Sequence, residues 1–180
     1  AIPRGNWKET VLPKAEAIRA ELTAHGVRVK LDAWEENSPG WKYAEWELRG
    51  VPLRLEIGPK DIEKGQVFSA RRDTREKAAI PFDGLVTRVQ EILVDIQRNL
   101  LARARQYRDE RTTDVATWDE FRSAMSGRPG FVIAAWCGSA ECEAAIKAET
   151  QATLRNIPRA SPRVDGACVK CGAASSVRAW

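Results

Sequence analysis

Apolar side chains recur along the first part of the chain with two different periods. From Glu9 to His25, the residues Val11, Leu12, Ala15, Ile18 and Leu22 fall on one helical stripe, and Gly26 is a natural stop. Pro13 lies in the first turn of that stripe, where its missing N–H costs least. Val27, Val29 and Leu31 then alternate with Arg28, Lys30 and Asp32, the period of a half-buried strand. Glu35 to Gly40 reads as a loop ending in the turn residues Ser38-Pro39-Gly40, and Trp41 to Arg49 as a helix that stops at Gly50. A second alternating run places Val51, Leu53, Leu55 and Ile57 on one face. Gly58-Pro59-Lys60-Asp61 breaks it, and Gln66 to Arg71 is expected as a third strand. Helices and strands in this order predict an α/β domain with helices packed on a sheet.

Beyond Pro81 the period becomes helical over a long stretch, Gly84 to about Arg111. Leu85, Val89, Ile92, Leu93, Ile96 and Leu100 form its apolar face. Six arginines (Arg88, Arg98, Arg103, Arg105, Arg108 and Arg111) share the stretch with Glu91, Asp95, Asp109 and Glu110, the composition of a solvated face. A second unit begins near Thr112. Thr117 followed by Glu120 fits a capping box that opens a short helix through Met125, stopped by Gly127. Phe131 to Trp136 is a short buried strand, Glu143 to Arg155 is helical, Pro158 to Gly166 is a loop, and the remainder is strand-like. The expected organisation is therefore 1–111 and 112–180.

With 180 residues, 43% hydrophobic and 30% charged, the chain has ordinary globular usage. The net charge of +4 is too small to argue for nucleic acid by itself. No stretch approaches the roughly 18 apolar residues of a membrane span, and the N-terminus lacks the apolar run of a signal peptide, so a cytoplasmic protein without membrane attachment is expected.

All four cysteines lie near the end, as Cys137-x4-Cys142 and Cys168-x2-Cys171. Two close pairs separated by a helix-sized insert match a structural Zn²⁺ site, because four thiolates close a tetrahedron with no position left for water. A unit of about 70 residues buries little core, so metal binding would supply much of its folding free energy. Two other chemistries share parts of the pattern. Trp136-Cys137-Gly138 after an apolar strand is superficially like a thioredoxin redox site, but the partner is five positions on and the second pair goes unexplained. Two disulfides would require an oxidising compartment, which nothing here indicates. The single histidine, His25, lies at a helix end far from the cysteines, where it suits the helix dipole rather than a catalytic metal.

The block Ser38-Pro39-Gly40-Trp41-Lys42-Tyr43-Ala44-Glu45-Trp46-Glu47-Leu48-Arg49-Gly50-Val51-Pro52-Leu53-Arg54-Leu55-Glu56-Ile57-Gly58-Pro59-Lys60-Asp61 is long and distinctive. It closely resembles the anticodon-binding domain of prolyl-tRNA synthetases, in the branch that carries an extra C-terminal zinc domain. The order of elements, the cysteine spacings and the segment Glu149-Thr150-Gln151-Ala152-Thr153 look like the same branch. The resemblance implies a mixed α/β sheet with flanking helices, the anticodon-binding fold of class II synthetases, followed by a small α+β zinc domain whose ligands are the four cysteines.

Carried over by motif, the resemblance implies that Tyr43 stacks on an anticodon base. Glu47 would accept hydrogen bonds from a guanine edge, and Arg54, Lys60 and Lys77 would address bases or phosphates. A carboxylate suits the N1–H and N2–H donors of guanine, a ring suits an unstacked base, and cations suit phosphate. The residues themselves also allow quieter roles: a helix-end acid for Glu47, packing for Tyr43, and a pair with Glu56 or Glu47 for Arg54. Trp46 reads as core, since Trp41 and Trp46 cannot share one helical face.

The family's opening apolar strand and its aromatic-containing tail are not found here, nor is its catalytic domain, which binds ATP, proline and the acceptor end. No phosphate loop, Ser-His-Asp set or usable histidine replaces it. The expected role is proline-tRNA anticodon recognition as the C-terminal piece of a homodimeric ligase, working with that enzyme's catalytic domain and activating no amino acid alone. The alternative is a stand-alone RNA- or protein-binding module of the same descent.

Overall fold

A computed structural model describes residues 1–2, 5–127, 130–159, 166–175 and 177–180. The chain divides into two compact units, Ala1–Ala102 and Arg103–Trp180, with the boundary inside one long helix. Among the described residues, no helix is long and apolar enough to cross a membrane.

The stripe expected as one helix forms two, α1 (Trp7–Thr10) and α2 (Leu12–Ala24), which meet at Val11. Val11 is fully buried and α2 turns Ala15, Ile18 and Leu22 into the same core. Ser38 caps α3 (Pro39–Leu48), accepting from the N–H of Trp41 at 3.3 Å, so the helix starts two residues before the expected Trp41. Pro39 at its first position needs no hydrogen-bond donor. β1 (Leu53–Glu56) follows. The expected break at Gly58–Asp61 is present and takes the form of a short helix, α4 (Pro59–Glu63), with the Asp61 carboxylate accepting from the N–H of Gly58 at 2.8 Å.

β2 (Gln66–Arg71) lies between β1 and β3 (Lys77–Pro81), and both pairings are antiparallel. β3 was not expected, because Lys77-Ala78-Ala79 carries little strand signal; its ladder with β2 makes it one. Val67 and Ile80 face the core, where α5 (Leu85–Asp109) buries Leu85, Val89, Ile92 and Ile96 at helical spacing. Each such side chain contributes about 1.5–3 kcal/mol by leaving water. The arginines of α5 are exposed, as a solvated face requires.

Val27 to Asp32 was expected as a strand and is not one. Its burial does alternate, and Val27, Val29 and Leu31 pack against the core, but among the described residues no strand forms a ladder with it. The main chain of Ala1 and Ile2 lies alongside, the ammonium donating to the Asp32 carbonyl at 3.2 Å and the Ile2 N–H to the Ile57 carbonyl at 2.9 Å.

In the second unit, β4 (Thr112–Asp114) runs parallel to β5 (Phe131–Ala135), and α6 (Trp118–Ser126) is the crossover that parallel strands need. The capping box at Thr117 and Glu120 is present. α7 (Ala140–Thr150) begins at its cap Ser139 and stops at Gln151, whose left-handed backbone ends it before the expected Arg155. Two short pairings complete the unit: β6 (Gly166–Ala167) with β7 (Ala174–Ser175), and β8 (Arg178–Ala179) antiparallel to β5. Residues 160–165 of the expected loop lie outside the described residues. Phe121, Val132, Ala134, Ile146 and Val169 make this core.

Candidate nucleic-acid interface and metal centre

α3 is anchored on the segment that precedes it through a buried charge. Lys42, only 6% exposed, pairs with Asp32 at 2.9 Å and donates to the Trp34 carbonyl, while the Trp46 indole N–H donates to Asp32 at 2.8 Å. Burial pushes the Asp32 carboxyl up, but Trp46 and Lys42 outweigh it and hold the group below its ordinary value. Trp46 is half-buried, and Trp41 lies exposed elsewhere on the helix.

This anchoring turns Tyr43 and Glu47, one helical turn apart, toward β1. Arg54 lies beneath them. Its Nε donates to Glu56 at 2.9 Å, its Nη1 to Glu47 at 3.2 Å, and its guanidinium carbon sits 3.8 Å from the Tyr43 ring centroid. Tyr43 donates its hydroxyl to Glu56 at 3.0 Å; burial first, then the Glu56 carboxylate, push its phenol up to about 12. The other Glu47 oxygen accepts from Arg75 on the β2–β3 turn. Arg75, then Arg54, hold the Glu47 carboxyl below the usual range against the opposing effect of burial. Tyr43, Glu47 and Arg54 line one shallow concavity with Trp46 and Arg72.

The register places two more residues on this face. Arg54 opposes Ala70, which opposes Lys77, so Arg54 and Lys77 project to the same side of the sheet two strands apart. Glu56 opposes Phe68, an aromatic ring 40% exposed on that side. Phe68 and Arg75 escaped the sequence reading. An exposed strand aromatic is indistinguishable from a core one until the face is known, and Arg75 stands 28 residues from its partner Glu47. Lys60 stands apart on α4, exposed and without an ion pair among the described residues.

A family model described as "Anticodon binding domain" matches residues 2–92. The chain belongs to that family. A second model, "Prolyl-tRNA synthetase, C-terminal", matches residues 118–180. The chain is 44% identical over 172 residues to the proline–tRNA ligase 2 of Clostridioides difficile, covering 96% of its own length and 35% of that protein. It is 46% identical over 171 residues to the proline–tRNA ligase of Alkaliphilus oremlandii, covering 95% of itself and 35% of the relative. The chain thus carries the anticodon-binding and C-terminal domains of a proline–tRNA ligase and spans about a third of the length of these relatives.

The C-terminal domain gathers its four cysteines. All four sulfurs lie within 4.8 Å of one another, Cys137 and Cys171 are 3.8 Å apart, and none is in a disulfide. Cys142 sits in the first turn of α7, its N–H donating to Ser139 at 3.3 Å. Cys168 and Cys171 flank a tight turn closed by the Gly172 N–H on the Cys168 carbonyl at 2.9 Å. Gly138 and Gly172, each following a cysteine, hold φ of 86° and 74°, which side chains disfavour. Burial pushes the Cys168 thiol up, but N–H donors from Cys171, Lys170 and Cys137 prevail and lower it to about 6. This four-sulfur cluster is positioned to hold a metal ion.

Proposed function

We propose that the chain recognises the anticodon of proline tRNA for a proline–tRNA ligase, with 1–111 as the anticodon domain and its connecting helix, and 112–180 as a zinc-stabilised domain. The observation that carries this reading is the Tyr43–Glu47–Arg54 concavity, a carboxylate, a ring and a fixed cation opening to solvent on one face. Glu47 accepts the N1–H and N2–H of an anticodon guanine, and Tyr43, with Phe68 as a second ring, stacks on unpaired bases. Arg54 supports Glu47 and contacts a base edge, while Lys77 and Lys60 address phosphates. Docking the anticodon loop here lowers the entropic cost of bringing the acceptor end to a distant active site. ATP and proline bind the ligase's catalytic domain, in a homodimeric parent, and this chain alone activates no amino acid.

Zn²⁺ is the ion that best suits the four thiolates. Metal–sulfur bonds of about 2.3 Å define a tetrahedron with edges of about 3.8 Å, the separation of Cys137 and Cys171. Four sulfur ligands close the site to water, so its role is structural, in keeping with a cytoplasmic setting where thiols stay reduced.

Gel-shift competition between proline tRNA and a transcript with substituted anticodon guanines tests the reading. Preference for the native anticodon, lost by about 1–3 kcal/mol in Glu47→Ala or Arg54→Ala, is expected. Equal binding of both transcripts by the unaltered chain would instead indicate a generic RNA-binding module.

A further inference from the structure

The β2–β3 turn carries a residue in an unusual backbone state. Arg75 has φ 65°, the left-handed region that glycine enters freely and a long side chain does not. The turn around it is firmly built. The Arg75 N–H donates to the Arg71 carbonyl at 3.1 Å, the Arg72 N–H to the Pro52 carbonyl at 3.0 Å, and the Arg71 side chain grips Asp73 and Asp95 at 2.8 and 2.6 Å. From this fixed point the Arg75 side chain crosses to α3 and donates to Glu47.

The two arginines on Glu47 differ. Arg54 is 17% exposed and bound by Glu56 and the Tyr43 ring as well. Arg75 is 68% exposed, and Glu47 is the partner of its guanidinium among the described residues. A guanidinium offers parallel N–H donors to a carboxylate, and the N1–H and N2–H edge of guanine offers the same pair. Adenine, whose N1 is an acceptor beside a single donor group, does not.

We propose that Arg75 is an intramolecular latch on the guanine-reading carboxylate: in the free protein its guanidinium occupies Glu47, and an incoming guanine edge must displace it. This rests on the reading of Glu47 given above. Arg54 remains in place and keeps Glu47 ionised during the exchange, so one cationic donor is replaced by one base edge. The strained backbone at Arg75 aims the side chain at Glu47 from a turn that glycine would form more easily.

Binding of a guanine-bearing proline anticodon stem–loop, and of the same loop with that guanine replaced by adenine, is measured by fluorescence anisotropy. The proteins are the full chain, Arg75→Ala, Arg75→Gly, Glu47→Ala and the double variant Glu47→Ala/Arg75→Ala, with matched thermal melts confirming that each is folded. Arg75→Gly suits the turn's backbone and guards against a variant that fails to fold. Both Arg75 variants are expected to bind the guanine loop about two- to five-fold tighter, as release of an exposed ion pair allows. The gain should vanish on the adenine loop and in the Glu47→Ala background. Equal or weaker binding by the Arg75 variants, with Glu47→Ala still abolishing discrimination, overturns the latch alone. Intact discrimination in Glu47→Ala overturns the reading of Glu47 and the latch with it.

Discussion

The Arg54 guanidinium carbon lies 3.8 Å from the centroid of the Tyr43 ring, a cation over an aromatic face, while both residues share the Glu56 carboxylate. Burial first, then the Glu56 carboxylate, keep the phenol protonated, raised to about 12 from an ordinary 10.0 against the opposing pull of Arg54. A raised folded value means that the associated stability is complete below pH 10 and is lost as the pH climbs toward 12. Glu56→Gln removes the carboxylate that opposes ionisation and should lower the Tyr43 midpoint in alkaline ultraviolet titration. An unchanged midpoint would leave burial as the sole cause.

Asp73 ties the β2–β3 turn to α5. Its carboxylate is 1% exposed, accepts from Arg71 at 2.8 Å and from the Asn99 amide at 2.7 Å, and is held far below the usual carboxylate range by Arg71. Asp73→Ala leaves the half-buried Arg71 guanidinium with Asp95 alone among the described residues and the Asn99 amide without this acceptor, and a loss of about 2–3 kcal/mol is expected in urea unfolding. Because the folded value is depressed, the Asp73 contribution is present above the unfolded value of 3.8 and fades only as pH falls through the folded one. The variant should therefore lose stability at neutral pH and show a shallower acid limb than the parent.

Lys42 and Asp32 set the seat of α3. Lys42→Met keeps the stem and removes the charge, leaving Asp32 with the N–H groups of Trp46 and Trp34. A cost of about 2–4 kcal/mol is expected. Asp32 also titrates below its ordinary value, so this pair strengthens the fold above pH 3.8 and weakens as the medium turns more acidic. A tryptophan fluorescence shift from Trp46 at neutral pH should accompany the loss; a melt and spectrum identical to the parent would dismiss the seat.

Elemental analysis should find one equivalent of zinc. Cys168→Ser, or a strong chelator, should loosen residues 103–180 in hydrogen exchange while the core around Leu22 and Val67 stays protected. Gly172→Ala forces a side chain onto a φ of 74° and should weaken metal retention without removing a ligand. A whole-chain melt indifferent to Cys168→Ser would dismiss the structural metal.

Much of this molecule is legible one segment at a time. The stripe Leu85, Val89, Ile92 and Ile96, the capping box at Thr117 and Glu120, the strand at Phe131 and the paired cysteines all follow from short-range rules. Periodicity and caps act within one or two turns of chain, so neighbouring residues suffice to set them. The block from Ser38 to Asp61 carried enough of its family's character to name the anticodon-binding domain.

Partnership was decided elsewhere. Among the described residues Val27 to Leu31 has the alternation of a strand yet no ladder, and Lys77 to Pro81 has little alternation yet makes one, because a strand exists only where another backbone offers its hydrogen bonds. Likewise, Cys137 meets Cys171 across 34 positions and Glu47 meets Arg75 across 28. The residue types needed for metal and base recognition are written in the chain. Which of them face one another depends on loop closure and on the register of β2 against its neighbours, energies shared by many residues and encoded by no single segment.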